Sequence, residues 1–191
     1  MSHVVALLLA AGGSRRMGRP KQLLAWQGTS LVRRAAETAL ASRCSELLVV
    51  LGAHAGLVEA ELVDLPLRTC VNADWEEGIA SSLHTGVEAL GDDAEAVVVL
   101  LADQPKVEAA LLDRPIAAHE TSSRGLAACS HGGAPGAPAL FSRRYFEALR
   151  GLSGDRGARV LLEAHRDDCS LVDAPFAVFD VDTPADLDPG G

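Results

Sequence analysis

The chain has 191 residues, of which 17 are Lys or Arg and 26 are Asp or Glu, giving a formal net charge of −9. Hydrophobic residues make up 48% and charged residues 23%, a balance that suits a folded chain and excludes global disorder. The acidic balance argues against a nucleic-acid binder, and no apolar run approaches the roughly 18 residues of a membrane span.

Residues 4–9 form a continuous apolar run that ends at Ala10-Ala11-Gly12-Gly13, which suits a central parallel strand buried on both faces. Residues 12–21 read as a loop rich in Gly and Arg. Ser30 is placed to cap a helix running to about residue 42. A second buried strand is expected over residues 47–51. A short helix over 56–63, a strand over 67–71 and a helix over 78–90 follow. Residues 96–102 are a third strongly apolar run, followed at once by Asp103. The next helix is expected over 107–119, with Pro115 kinking or breaking it. Residues 126–129 read as a strand, 131–138 as a Gly/Pro loop, 141–149 and 157–165 as helical stretches, and 177–181 as a last strand. The tail after Leu187 is expected to fray. There is no internal repeat and no linker, so residues 1–191 are read as one domain. Apolar strands alternating with amphipathic helices predict a three-layer α/β/α fold around a mostly parallel, Rossmann-like sheet. Ligands in such sheets sit beyond the carboxyl ends of the strands. That rule points to residues 12–21, to Asp103 and to residues 180–183.

The N-terminal segment has no basic residue ahead of its short apolar run and does not read as a signal peptide. Four cysteines, Cys44, Cys70, Cys129 and Cys169, are scattered and form no zinc-spaced cluster. They are expected to be reduced, mostly buried thiols of a cytoplasmic protein. Lysine occurs only at Lys21 and Lys106, so a lysine within the glycine-rich loop stands out from surface filler.

A glycine-rich loop after a strand lets backbone N–H groups approach phosphate oxygens, and Arg15, Arg16, Arg19 and Lys21 add positive charge to it. The loop is not a Walker A motif, because Arg19-Pro20-Lys21 follows Gly18. Nor can it be aligned to the dinucleotide fingerprint G-x-G-x-x-G. On these grounds alone, phosphate binding and a surface turn with solvated arginines stand about level.

The segment Leu9-Ala10-Ala11-Gly12, Ser14, Arg16-Met17-Gly18, Pro20-Lys21, Leu23-Leu24 resembles the signature of the nucleotidyltransferases that attach a nucleotide to molybdopterin, and more widely that of the sugar-phosphate nucleotidyltransferases. Three further segments carry the same resemblance: Leu101-Ala102-Asp103-Gln104-Pro105; Asp180-Val181-Asp182-Thr183-Pro184; and Asn72, Trp75, Gly78, Ser81-Ser82-Leu83 with Gly86. A fifth departs from it, since Pro135 and Ala137 stand where related chains carry Arg and His or Asn, although Gly154-Asp155-Arg156-Gly157-Ala158-Arg159 fits well.

The resemblance implies a nucleotidyltransferase fold and an attack by an acceptor phosphate on the α-phosphorus of a nucleoside triphosphate, with pyrophosphate leaving. It implies that Leu9, Ala10, Ala11, Gly12, Gly13 and Ser14 bind the nucleotide with Asn72, Gly78, Ser81 and Ser82. Arg16 and Lys21 would offset phosphate charge, and Asp103 and Asp182 would hold Mg²⁺, with Asp180 the second choice for the latter acid. Gln104, Pro135, Gly136 and Pro138 would face the acceptor, expected to be molybdopterin or its molybdenum-loaded form. The product would serve an apo molybdoenzyme of the xanthine dehydrogenase type. Related enzymes that use guanine tend to carry Leu-Ala-Gly-Gly where cytosine users carry Leu-Ala-Ala-Gly, so Ala11 favours CTP. The same resemblance extends to sugar- or alditol-phosphate nucleotidyltransferases and to a reductase acting on a pigment in nicotine breakdown. A non-catalytic cofactor-maturation carrier is the alternative of another class, and a pair of metal-binding acids argues against it.

Overall fold

The computed structural model describes residues 3–14, 18–174, 179–181, 183 and 186. Strands β1 (Val4–Leu9), β2 (Ala25–Trp26) and β3 (Thr29–Ser30) are followed by helix α1 (Leu31–Leu40), strand β4 (Glu46–Leu51), helix α2 (Ala55–Ala60) and strand β5 (Arg68–Val71). Helix α3 (Ile79–Glu88), strand β6 (Ala96–Leu101), helix α4 (Ala109–Glu120) and strands β7 (Leu126–His131) and β8 (Ala134–Ser142) come next. Helices α5 (Phe146–Arg150) and α6 (Arg159–Ala164) and strand β9 (Cys169–Asp173) complete the described elements.

Seven strands form one sheet in the order β5-β4-β1-β6-β8-β7-β9. Only β8 runs against its neighbours; the remaining pairings are parallel. The alternation of side chains along a strand sorts the core into two layers. Val4, Ala6 and Leu8 pack on one side with Val32 and Ala36 of α1, Val58 of α2 and Leu112 and Ile116 of α4. Val5, Leu7 and Leu9 pack on the other with Leu83 and Val87 of α3, Phe146 and Leu149 of α5 and Leu162 of α6. The three-layer α/β/α architecture is therefore the expected one. The strands that read as unbroken apolar runs are those buried on both faces.

Helix α3 lies close on the sheet because residue 86 has no side chain. A Cβ there would stand 2.6 Å from Leu7 Cδ1 and 2.9 Å from Val50 Cγ2. Ser30 caps α1 as expected, its Oγ accepting from the Arg33 amide at 3.4 Å.

Three expectations need correction. Helix α4 runs through Pro115 without a break, because Leu112, Pro115 and Ile116 are buried against the sheet and that packing outweighs the lost backbone bond. Residues 134–138 are not loop but the start of β8, and Phe141, expected to begin a helix, belongs to the same strand. The reason is period-two burial, with Ala139 and Phe141 in one core layer and Leu140 in the other. A tight Gly132-Gly133 turn, with both φ values positive, reverses the chain between β7 and β8. The register shift after Ala128 leaves Ala137 and Pro138 as two extra residues on β8. Among the described residues the last strand of the sheet is β9, and residues 179–181 are not strand. Residues 177–178 lie outside the described residues, and 179–181 are held in irregular backbone. An element that the sequence reading left unassigned is the hairpin of β2 and β3, turned at Gln27-Gly28.

The four cysteines are free thiols. Cys129 and Cys169 are buried and Cys44 and Cys70 half-buried, and burial pushes the Cys129 thiol up to about 11. Among the described residues, no helix is long and apolar enough to cross a membrane.

Candidate functional site

Strands β1 and β6 are neighbours, but the chain leaves β1 toward β4 on one side and only later returns to β6 on the other. Crevices open at the carboxyl ends of strands where an open α/β sheet switches direction in this way. A cavity of about 530 Å³ lies there. It is bounded by residues 9–14 after β1, residues 101–103 after β6, Lys21 and Gln22, and a wall of Trp75, Glu76, Gly78, Ile79 and Ser82. Asp155 completes the lining from a distant loop.

The loop after β1 is held in shape by a residue not singled out from the sequence. Gln22 is 5% exposed. Its Nε2 donates to the carbonyls of Ala10 at 2.9 Å and Gly12 at 2.6 Å, and its Oε1 accepts from Ser14 Oγ at 3.3 Å. Ser14 Oγ in turn accepts from the Lys21 amide at 2.8 Å. Ser14 itself adopts a left-handed backbone with φ of 51°. Both ends of the loop are thus tied to one buried side chain, leaving the backbone near residues 12–14 at the cavity edge. No neighbour stands within 4 Å of where a Gly12 Cβ would be, whereas a Cβ on Gly13 would meet the Trp75 ring at 2.5 Å. Gly12 therefore leaves room for a ligand, and Gly13 leaves room for the indole.

Lys21 Nζ lies 2.8 Å from Asp103 Oδ2. The pair joins the first loop to the end of β6, and both residues line the cavity. Asp103 Oδ1 is buried and accepts no hydrogen bond among the described residues. A buried carboxylate oxygen without a donor is costly unless a cation or a donor reaches it. A hard divalent cation with oxygen ligands fits that atom. The Asp103 carbonyl accepts from the Val181 amide at 2.9 Å, and Gln104 Nε2 donates to Asp180 Oδ1 at 3.0 Å. These contacts bring Asp180 and Val181 to the end of β6. Phe179 and Val181 pack with Leu24, Trp26 and Leu31, the Trp26 and Phe179 ring centroids 5.5 Å apart, and the Lys106 ammonium lies 4.1 Å from the Phe179 centroid.

On the far wall, Gly78 has φ of +106°, and a Cβ there would lie 2.5 Å from Asp155 Oδ1 and 2.6 Å from the Gly154 carbonyl. Only glycine suits both the backbone and the gap. The Ala80 amide donates to that Gly154 carbonyl at 3.1 Å, which anchors the turn bearing Asp155 to the start of α3.

Of the residues singled out from the sequence, Leu9, Ala10, Ala11, Gly12, Gly13, Ser14, Lys21, Gly78, Ser82 and Asp103 line this cavity together. Asn72 and Ser81 do not line it. Asn72 is 2% exposed and bonds Ser81 and Ser82 instead. Gln104, Pro135, Gly136 and Pro138 also lie outside the lining. The register Val99↔Ala139 nevertheless carries the first residues of β8 past the carboxyl end of β6, to the edge of the sheet that bears Asp103. Arg16 and Asp182 lie outside the described residues. The Ala11 methyl is directed at Gly52, where an added Cβ would lie 2.7 Å from it. Trp75, Glu76, Gln22 and Asp155 are lining residues that the sequence reading did not assign. Trp75 and Asp155 stood inside segments already noted there, and nothing about a Gln in a long loop marks it as buried.

A doubly wound sheet with a tethered glycine-rich loop, a lysine and an acid converging at its switch point defines a nucleotidyltransferase-type α/β protein. Residues 6–169 match the family described as the MobA-like NTP transferase domain, and the chain belongs to that family. It is 38% identical over 166 residues to nicotine blue oxidoreductase of Paenarthrobacter nicotinovorans, covering 83% of this chain and 81% of that one. It is 34% identical to purine catabolism protein PucB of Bacillus subtilis, covering 97% and 95%. It is 24% identical to the molybdenum cofactor cytidylyltransferase of Escherichia coli, covering 98% and 95%. The crystal structure of Rv0371c from Mycobacterium tuberculosis superposes with a TM-score of 0.85 at 31% identity, covering 97% and 96%. The same protein has been solved in complex with manganese.

Proposed function

We propose that this nucleotidyltransferase of the MobA-like type transfers CMP from CTP to a phosphate of a molybdopterin-type acceptor, with Mg²⁺ held at Asp103 and Asp182. The observation that carries the reading is the convergence of the residue 12–14 loop, Lys21 and the unbonded Asp103 Oδ1 on one cavity. Similarity to the E. coli cytidylyltransferase over nearly the whole chain supports the acceptor, and Ala10-Ala11-Gly12 supports the base.

The attacking phosphate is already anionic, so the reaction needs alignment and charge neutralisation more than a general base. Backbone N–H groups at residues 12–14 take phosphate oxygens. Lys21 and Arg16 offset the charge that gathers on the leaving pyrophosphate. Trp75 and Ile79 exclude water from the nucleoside end. A divalent cation on Asp103 and Asp182 supplies further positive charge to the phosphate oxygens when bound. The first residues of β8, with Gln104, border the side from which an acceptor enters. Serving an apo molybdoenzyme of the xanthine dehydrogenase type, in the cytoplasm, follows from the same reading.

The test is pyrophosphate release and dinucleotide formation from molybdopterin with CTP or GTP at equal concentration, with and without Mg²⁺. CTP-dependent product that requires the metal is expected, and Asp103→Ala should lower turnover roughly a thousandfold or more while the protein stays folded. A dominant guanine product would overturn the base. Oxidation of a nicotinamide cofactor with no pyrophosphate release would overturn the transfer reading in favour of the chemistry for which nicotine blue oxidoreductase is named.

A further inference from the structure

Asn72 is buried and its amide is fully committed. Its Oδ1 accepts from the Asp74 amide at 2.9 Å. A backbone N–H can only donate, so this bond fixes which end of the amide is which. Nδ2 then faces two hydroxyls, Ser81 Oγ at 2.8 Å and Ser82 Oγ at 3.0 Å, with one N–H for each.

The two serines differ in what they do with their own hydrogens. Ser81 Oγ lies 2.9 Å from the Asp74 carbonyl and 2.8 Å from the Gly78 carbonyl, so its hydrogen is used within the wall. Ser82 Oγ receives the Asn72 hydrogen but meets no acceptor for its own among the described residues. Ser82 is 5% exposed and lines the cavity. A hydroxyl that has accepted on one side from a rigid donor can turn its hydrogen only toward the remaining open side, here the cavity. Ser82 lies three residues after Ile79 on α3, on the same helix face, and both line the cavity with Trp75, whereas the Lys21–Asp103 pair reaches it from the loop after β1 and the end of β6. Phosphate belongs with the charges, and a flat heteroaromatic base with the apolar wall.

We propose that Asn72 is a positioning residue that never touches the ligand, and that it fixes Ser82 as a hydrogen-bond donor to an acceptor on the nucleobase, a carbonyl oxygen or an unprotonated ring nitrogen. This rests on the nucleotide reading above and adds how the base is held. Asn72, placed with the nucleotide contacts in the sequence, acts through its neighbour instead.

The test is calorimetric binding of two probes in the presence of Mg²⁺: the tighter of CTP and GTP, and ribose 5-triphosphate, which has the same phosphates and sugar but no base. The ratio of their affinities isolates the base. Ser82→Ala should shrink that ratio about three- to tenfold, the loss of one neutral hydrogen bond, with ribose 5-triphosphate bound as before. Asn72→Asp keeps the shape and the bond to the Asp74 amide but presents Ser82 with an acceptor, turning its hydrogen out of the cavity. It should shrink the ratio similarly, and the double variant should lose no more than Ser82→Ala alone. A general packing defect would weaken both probes together and leave the ratio unmoved, which overturns the proposal. So does full additivity of the two substitutions. Failure of the unsubstituted chain to bind either probe overturns the nucleotide reading itself, whereas binding of both with a ratio unchanged in Ser82→Ala overturns this inference alone.

Discussion

Replacing Gln22 with Leu keeps most of the side chain's volume and removes all of its hydrogen bonding. The buried amide serves three partners: the carbonyls of Ala10 and Gly12 and the hydroxyl of Ser14. The consequences differ among them. Gly12 is exposed, so water can replace Gln22 at its carbonyl. Ala10 is only 2% exposed, so its carbonyl is left without a donor. One stranded buried acceptor costs about 1–3 kcal/mol. In a chain of this size that lowers Tm by about 3–10 °C. The loop also loses the tether that holds residues 12–14 at the cavity edge, so nucleoside triphosphate affinity should fall with stability. Thermal unfolding by circular dichroism, alongside calorimetric titration with CTP, measures both. Gln22→Glu should do worse at neutral pH, because a carboxylate would face two carbonyl oxygens where the amide donates. A Gln22→Leu variant with unchanged Tm and unchanged affinity would refute the tether.

Gly86→Ala places a methyl 2.6 Å from Leu7 Cδ1 and 2.9 Å from Val50 Cγ2, in a layer where both neighbours are fully buried. Overpacking of this kind costs about 1–3 kcal/mol, and thermal unfolding should show a lower Tm. Asp168 is expected to confer a pH-dependent part of stability. Burial works against its ionised form, yet hydrogen bonds from Tyr145, the Gly125 amide and Arg144 hold its carboxyl below the ordinary range. A depressed folded value means that the contribution is present above the ordinary carboxylate pKa and is lost as pH falls through the folded one. The Tm gap between the natural chain and Asp168→Asn should thus be widest near neutral pH and narrow below about pH 4, in melts at stepped pH.

Strands β1, β4 and β6 were legible because helices cover both of their faces, which makes them unbroken apolar words. Strand β8 was not legible. Pro135, Gly136 and Pro138 look like loop punctuation, and Phe141 looks like the start of an amphipathic helix until it is known that two core layers receive Leu140 and Phe141 alternately. Strand β9 lies at the edge of the sheet with Leu171 exposed, so it carries too little apolar signal to register. At the site, Lys21 and Asp103 could be read from motif and position, and they meet at 2.8 Å. Gln22 and Asp155 could not. The burial of the first and the approach of the second to Gly78 are facts of tertiary packing that no local pattern encodes.

The attachment of residues 179–181 has a consequence for how the protein is made. The Val181 amide settles on the Asp103 carbonyl and Phe179 on Trp26, partners laid down far earlier in synthesis. The first strands and their helices can pack while this stretch is still within the ribosome, since domains begin to order from their amino-terminal side. The contacts to the Asp103 carbonyl and to Trp26 nonetheless form only once residues 179–181 emerge, because they span most of the chain. A nascent fragment that ends before residue 179 therefore holds the residues of both core layers but lacks the strap that ties Asp103 and Trp26 together.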